Sequence, residues 1–400
     1  MAAALRPAAF ASLTQDEQET IRQKQKQAQL KKKAAKKQRG TSQLPPSEPS
    51  EPVEEEVVEP GRRPLRDGLP DRTHLSLEEY FGACPAGLFK QAGLRATEEN
   101  LELLLGMDFN QVVGRFGDGS PVRLSSFNYF QFDGSDSEIW DPTFLARLAY
   151  EGFFTITTGR RKQRDPLPEL QPFYGVLDWH NLNRSKHVNK ALRRLGVETP
   201  RRYFLYCDRD LEETYKQLDR YQKEQHGENW MTWKYIQAFR RASDDPKINF
   251  RLHSIELYDG PRLAEEPAAK ADPPKLIAGE IGYSIGKVYT SLSGFSLRSA
   301  DGLGWIQLAC LGKWLEEKRY AFWSLGHCYS PHMEYKRQLG HRIYTRAEFL
   351  ERLKHERGPF RCSPDQLSHQ LGKGEEFDAD SVLAGMLRSD KHTETALVSD

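Results

Sequence analysis

The chain of 400 residues lacks long hydrophobic runs, and it has almost no net charge. No stretch approaches the roughly 18 apolar residues that cross a bilayer, so we expect a soluble protein without a membrane partner. The opening MAAALRPAAFASL has too short an apolar stretch for a secretory signal. We expect the protein to be located in the cytoplasm. An organellar transit peptide stays open as an alternative, although acidic residues begin as early as Asp16.

The sequence has few cysteines, and their number is odd. The five, an odd count at irregular spacing, indicate a reducing compartment rather than a disulfide framework: Cys84, Cys207, Cys310, Cys328 and Cys362. Cys328 has His327 and His332 beside it, but this group lacks the paired-ligand spacing of a zinc site. The sequence therefore predicts no metal site.

Charge is sorted locally, although the net charge is only +1. Residues 21–40 hold nine Lys or Arg and no acid, whereas residues 45–60 are acidic and rich in proline. Such segments bury too little apolar area to offset the entropy cost of ordering, so we predict a disordered tail over 1–70. The basic run is interpreted either as solvated disorder, or as an arm that attracts RNA or a nuclear address.

Patterned sequence begins after the tail. Residues 71–200 read as a small mixed domain, in which 141–156 predicts an amphipathic helix stopped by Gly152 and followed by a strand. A basic helix is predicted at 182–197. Residues 201–358 form the main predicted domain, and 359–400 read as a polar tail.

The main domain alternates regularly between elements. From Tyr203 onward we predict a strand, two helices, three antiparallel strands, a helix, a strand, a short helix, a strand and a helix with a capping box of Thr345 and Glu348. This order predicts an α+β fold with a mixed sheet and flanking helices. The central hairpin, LIAGEIGYSIGKVYTSLSGF at 276–295, carries four glycines that normally weaken a strand.

Two glycines precede the next predicted helix. Gly302 and Gly304 lie just before this helix, which is predicted to begin near Trp305; the unpaired backbone N–H groups of its first turn and the helix dipole favour an anion. With Arg298 they resemble the pyrophosphate loop Q/R-x-x-G-x-G/A of GNAT acyltransferases, with one extra residue between the arginine and the first glycine.

Several stretches in the right order resemble the leucyl/phenylalanyl-tRNA–protein transferase family, whose fold is GNAT-like. They cover about 141–355 and read YEGFFTI at 150–156, NWMTWKYIQAFRRA at 229–242, HSIELYDG at 253–260, LIAGEIGYSIGKVY at 276–289 and YKRQLGHRIYTRAEFLERL at 335–353. The resemblance implies aminoacyl transfer from the 3′ end of a charged tRNA to the N-terminal amine of a protein or peptide, as a tag for degradation. Charged tRNA is then a co-substrate, and no other cofactor is implied.

The resemblance also implies contacts with the substrates. Trp230 falls where the family has a tryptophan that stacks on the terminal adenine. Side chains of the hairpin are expected to line an apolar pocket, and its glycines to leave room for the ester or the incoming peptide. The candidate substrate-binding residues are Trp230, Gly279, Gly282, Tyr283, Gly286, Tyr289, Leu292, Arg298, Gly302 and Gly304.

The sequence departs from the family where the chemistry is expected. The family's Asp-x-Gln pair corresponds to Ser324 and Gly326, and a family glutamate corresponds to Leu292. Glu334 and His327 are nearby candidates that the motif does not support, so the catalytic residues stay unassigned. Two alternatives therefore stay open, an acyl-CoA-dependent GNAT acyltransferase and a non-catalytic protein that binds tRNA or peptide. We expect a monomer.

Overall fold

The computed structural model describes residues 73–76, 89–90, 130–131, 135–158, 164–169, 171–182, 203–260, 273–297, 302–329, 333–367, 370–379 and 383. All of them belong to the second of two compact units, Leu69–Asp400. The predicted disordered tail and residues 183–197 of the predicted basic helix lie outside the described residues.

Short elements precede residue 200: β1 Phe89–Lys90, β2 Phe130–Gln131, α1 Asp136–Ile139, α2 Pro142–Tyr150, β3 Phe154–Thr158, β4 Asp165–Glu169 and β5 Phe173–Leu177. Helix α2 begins after Asp141, whose carboxylate accepts a hydrogen bond from the backbone N–H of Phe144 at 2.7 Å. It ends before Gly152, which has a left-handed φ of +83°. The predicted helix and the strand after it are confirmed.

The later elements follow the predicted order: β6 Tyr203–Cys207, α3 Leu211–His226, α4 Trp233–Ser243, β7 Arg251–Asp259, β8 Lys275–Ile285, β9 Val288–Ser296, α5 Leu303–Glu317, β10 Phe322–Gly326, α6 Glu334–Leu339, β11 Arg342–Thr345, α7 Arg346–Glu356 and β12 Glu376–Asp378. The capping box of Thr345 and Glu348 at the start of α7 is present. Strand β12 was not expected, because it lies in the segment that reads as a polar tail.

Eight strands form one mixed sheet in the order β11-β5-β10-β9-β8-β7-β6-β12. Within the described part of this sheet every neighbouring pair is antiparallel except β9 and β10. These two strands run parallel and are joined by helix α5, as a parallel pair requires a crossover connection. The predicted α+β class, with a mixed sheet and flanking helices, is confirmed.

Helices cover both faces of this sheet. On one face α2, α3 and α4 bury Leu145, Leu218 and Phe239. On the other face α5 buries Ile306 and Trp314 against strands β6 to β10. None of the described helices is long and apolar enough to cross a bilayer.

Strand β5 comes from the segment predicted as a separate domain. It lies between β11 and β10, where Val176 is paired with Arg342 on one side and Ser324 on the other. Main-chain hydrogen bonds therefore cross the boundary predicted near residue 200.

Candidate functional site

The glycines of the hairpin are packed against protein atoms. A Cβ atom at Gly282 would lie 2.5 Å from the hydroxyl of Tyr289, and one at Gly279 would lie 2.6 Å from the carbonyl oxygen of Ile255. At Gly286, which has a left-handed φ of +52°, a Cβ would meet the backbone of Arg357. This corrects the expectation that these positions leave room for an ester or peptide, because the protein itself fills the space.

The hairpin side chains that were predicted to line a pocket lie on two faces of the sheet. Tyr283 is paired with Thr290, and Tyr289 with Ser284, so the two tyrosines lie on opposite faces of the sheet. Tyr283 packs with the helices α2 to α4, whereas Tyr289 packs with α5 and is fully buried. Leu292 packs on the same side as Tyr283, beside a β-bulge. Tyr283 and Tyr289 therefore do not line the same pocket, and the contact of each with a substrate stays a prediction.

A small cavity of about 10 Å³ lies on the side of α2 and α7. It has room for about one water molecule. Its wall includes Ser324 and Gly326, the positions of the family's acid and amide, together with Tyr283 and Val288. Gln171 also lines it, is fully buried, and has no hydrogen-bond partner for either amide atom within the described structure. The described lining contains no carboxylate.

A buried carboxylate lies instead on the opposite face of the hairpin. Glu280 of β8 is only 3% exposed. Its Oε1 atom accepts hydrogen bonds from the hydroxyl of Tyr289 at 2.9 Å and from that of Ser291 at 2.7 Å. Its Oε2 atom accepts one from Nε2 of Gln307 in α5 at 3.3 Å. Burial raises the pKa of Glu280 above its ordinary value, and these three hydrogen bonds oppose that rise.

A buried lysine lies close enough to act on this carboxylate. Nζ of Lys336, in α6, donates to the carbonyl oxygens of Leu325 and His327, the latter at 2.8 Å. Burial lowers the pKa of Lys336 to about 8. Its positive charge in turn lowers the pKa of Glu280. The carboxyl group of Glu280 and the amine of Lys336 are thus both buried away from water.

The polar site lies where the parallel strands separate. Pairing between β9 and β10 ends at Thr290 and Ser324, while β9 continues to Ser296. Ser291, the next residue of β9, is partly exposed and accepts a hydrogen bond from Nε1 of Trp323 at 2.8 Å. Ser291 thus connects the buried Glu280 to the gap between the strands. We call Glu280, Tyr289, Ser291, Gln307 and Trp323 the strand-gap cluster.

Glu280 was missed in the sequence, although it stands inside the quoted stretch LIAGEIGYSIGKVY. A single acidic residue in an otherwise apolar strand was the available signal, since buried carboxylates are rare unless they have partners. Its link to the predicted glycine is direct. The hydroxyl of Tyr289 that donates to Glu280 is the atom that a Cβ at Gly282 would strike.

The other predicted contacts divide into three groups. Trp230 is partly buried, and its ring lies 5.6 Å from that of Phe154 and 5.9 Å from that of Tyr235, measured between centroids. Its contact with adenine stays a prediction. Gly302 is the left-handed N-cap of α5, with Gly304 in the first turn. Arg298 lies outside the described residues, so the anion loop stays a prediction as well.

The two nearby base candidates are held by charged partners. Nε2 of His327 lies 2.8 Å from Oε2 of the buried Glu169. Glu334 forms an ion pair with Arg337 one helical turn later in α6. Neither contacts the strand-gap cluster through a hydrogen bond in the described structure.

Comparison with known proteins gives little. No protein-family model and no curated protein matches the chain. Among solved structures it is similar to a crystal structure of FemX, at 13% sequence identity and a TM-score of 0.35, over 62% of this chain and 75% of that one. At so low a TM-score the likeness supports no functional conclusion.

Proposed function

We propose that the protein transfers the aminoacyl group of a charged tRNA to the N-terminal amine of a protein or peptide. One observation carries the proposal. A buried carboxylate, Glu280, is held by three hydrogen-bond donors where the parallel strands β9 and β10 separate. The motifs that resemble the transferase family surround this position in the sequence.

The reaction forms a peptide bond and releases the tRNA. The amine nitrogen attacks the ester carbonyl carbon, the new C–N bond forms, and the C–O bond to the ribose breaks. The amine must lose a proton, and the ribose oxygen must gain one. Because an aminoacyl ester is already activated, holding the amine and the ester together supplies much of the rate.

Glu280 is suited to receive the amine's proton through Ser291. The hydroxyl of Ser291 donates to Glu280, and Ser291 as a residue is partly exposed at the strand gap. An amine at the gap would give its proton to this hydroxyl as the hydroxyl gives its own to the carboxylate. Burial raises the pKa of Glu280 toward neutral pH, where a general base is most effective. This role replaces the acid and amide that are missing at Ser324 and Gly326.

The identity of the transferred residue belongs to the same proposal. The resemblance favours leucine or phenylalanine, an acceptor that begins with a basic residue, and a product marked for degradation. The run of Lys and Arg at 21–40 supplies charge that attracts tRNA phosphates.

Transfer is tested directly with the full chain. It is incubated with radiolabelled Leu-tRNA or Phe-tRNA and a peptide that begins with arginine, and we expect label in the peptide. Label from acetyl-CoA instead would favour the acyl-CoA-dependent alternative, for which the glycine-flanked start of α5 is the structural support. Salt-sensitive tRNA binding without transfer to either acceptor would overturn the proposed reaction and leave a binding protein.

A further inference from the structure

Three side chains of different chemistry converge at the end of β6. Sγ of Cys207 lies 3.4 Å from Oδ2 of Asp208 and 3.4 Å from Nδ1 of His253. The same nitrogen and carboxylate oxygen are 3.1 Å apart. A thiol, a carboxylate and an imidazole are the three side-chain types that zinc prefers in proteins.

The separations suit a tetrahedral ion. Zinc bonds of about 2.0 Å to nitrogen or oxygen and about 2.3 Å to sulfur, at tetrahedral angles, place the donor atoms about 3.3 to 3.5 Å apart. All three observed separations lie within about 0.2 Å of that range. The donors therefore need only small shifts to bind one ion.

The histidine is already oriented for this role. Its Nε2 atom lies 2.8 Å from Oγ of Ser284, which fixes the ring and directs Nδ1 toward Asp208 and Cys207. Metal-bound histidines commonly have such a hydrogen bond at the second nitrogen. Ser284 is fully buried, so its hydroxyl is closed to solvent in the described structure.

The aspartate is also held in place. Oδ1 of Asp208 accepts a hydrogen bond from the backbone N–H of Ser254 at 2.7 Å, so its Oδ2 is directed toward Cys207 and His253. Cys207 and His253 are buried, while the side chain of Asp208 is 21% exposed and offers an approach from solvent.

We propose that Cys207, Asp208 and His253 bind a zinc ion, with one tetrahedral position left for water or a further ligand. On binding, the Cys207 thiol loses its proton to solvent and the sulfur forms a bond to the metal. The site links β6 and β7, and it does not depend on the proposed transfer reaction. It departs from the expectation that the chain has no metal site.

The test uses the untagged full chain after removal of metal by a chelator. Zn²⁺ is titrated in competition with a chromophoric chelator, and Co²⁺ is added separately to record thiolate-to-cobalt charge transfer. Three variants are compared with the unchanged protein: Cys207→Ser, Ser284→Ala and Cys310→Ser. Cys310 is a buried cysteine of α5 outside the cluster and serves as the control.

We expect one Zn²⁺ per chain and a cobalt–thiolate band. Ser284→Ala should weaken binding by about 10- to 100-fold, and Cys207→Ser by more than that with loss of the band. Cys310→Ser should bind as the unchanged protein does. Zinc should raise the melting temperature of the unchanged protein but not of Cys207→Ser. Absence of stoichiometric zinc, or equal zinc affinity in Cys207→Ser and the unchanged protein, would overturn the site and leave a hydrogen-bonded Asp–His–Ser arrangement.

Discussion

Glu280 is the residue on which the proposed chemistry depends. Replacing it by glutamine keeps the shape but removes the negative charge that would accept a proton. We expect Glu280→Gln to lower the single-turnover rate of transfer by about 10²- to 10⁴-fold, while binding of charged tRNA changes little. The rate is measured by quenched-flow transfer of labelled leucine to a peptide.

A matched control variant removes the charge of an acidic residue outside the candidate site. Glu212 in α3 is an acidic residue whose side chain is 65% exposed, and Glu212→Gln should leave the rate unchanged. Circular dichroism establishes whether each variant is folded. A folded Glu280→Gln protein that transfers at the normal rate would rule out this residue as the base.

Glu256, a second buried acid, makes stability depend on pH. Burial raises its pKa from 4.5 to about 7, against hydrogen bonds from Ser254 and from the backbone of Asp210 and Arg209. Between these two pH values the folded state keeps a proton that the unfolded state has lost. The contribution of Glu256 to the free energy of unfolding is therefore fully present below pH 4.5. It is lost as the pH rises through about 7, by about 3 kcal/mol in total.

The measurement is the free energy of unfolding in urea at a series of pH values. Glu256→Gln should flatten the profile between pH 4.5 and 7, whatever its effect on absolute stability, because the titrating group is gone. Glu212→Gln should keep the original slope. Equal slopes in the unchanged protein and Glu256→Gln would contradict the raised pKa.

The hairpin β8–β9 requires glycine for reasons of packing. In Gly282→Ala the new Cβ would strike the hydroxyl of Tyr289 and the carbonyl oxygen of Thr290, at 2.5 and 2.7 Å. We expect a loss of about 1 to 3 kcal/mol in the free energy of unfolding, as for other overpacked interiors. The shift of Tyr289 should also disturb its hydrogen bond to Glu280. Stability is measured by urea unfolding and transfer by the peptide assay.

Gly304 supplies the control within another element. An added Cβ there would have its nearest neighbour, Oγ of Ser296, at 3.5 Å, which is ordinary contact. Because alanine favours a helix over glycine, Gly304→Ala should be neutral or stabilise by up to about 1 kcal/mol. A Gly282→Ala protein as stable as Gly304→Ala would show that the strand relaxes without cost.

The whole molecule should not divide at residue 200. A fragment of residues 201–400 lacks β5, so β10 and β11 lose their shared neighbour, and the core loses Val176 and Leu177, both fully buried. Exposed strand edges and missing core make aggregation the expected outcome. We therefore expect this fragment to show no cooperative thermal unfolding by circular dichroism.

A fragment of residues 69–400 is the control, since it contains the whole compact unit that begins at Leu69. It should unfold cooperatively. If residues 201–400 alone also unfolded cooperatively, with a melting temperature close to that of the longer fragment, the two predicted domains would be independent after all.

The local elements were predictable from the sequence because their signals are local. The stripe of α2, the caps of α7 and the alternation of the strands from 203 to 345 depend on neighbouring residues, which the chain carries in order. The candidate site was predicted less well. The hairpin was chosen for its glycines, whereas the groups that meet there are Glu280 of β8, Ser291 of β9 and Gln307 of α5.

The sequence by itself determined the α+β class and the order of elements from 203 to 356, since periodicity and capping need only residues a few positions apart. Only the tertiary structure placed β5 between β10 and β11, closed the space beside Gly282 with Tyr289, and joined Cys207 to His253. Such contacts join residues far apart in the chain, and no local pattern encodes which distant side chains will meet.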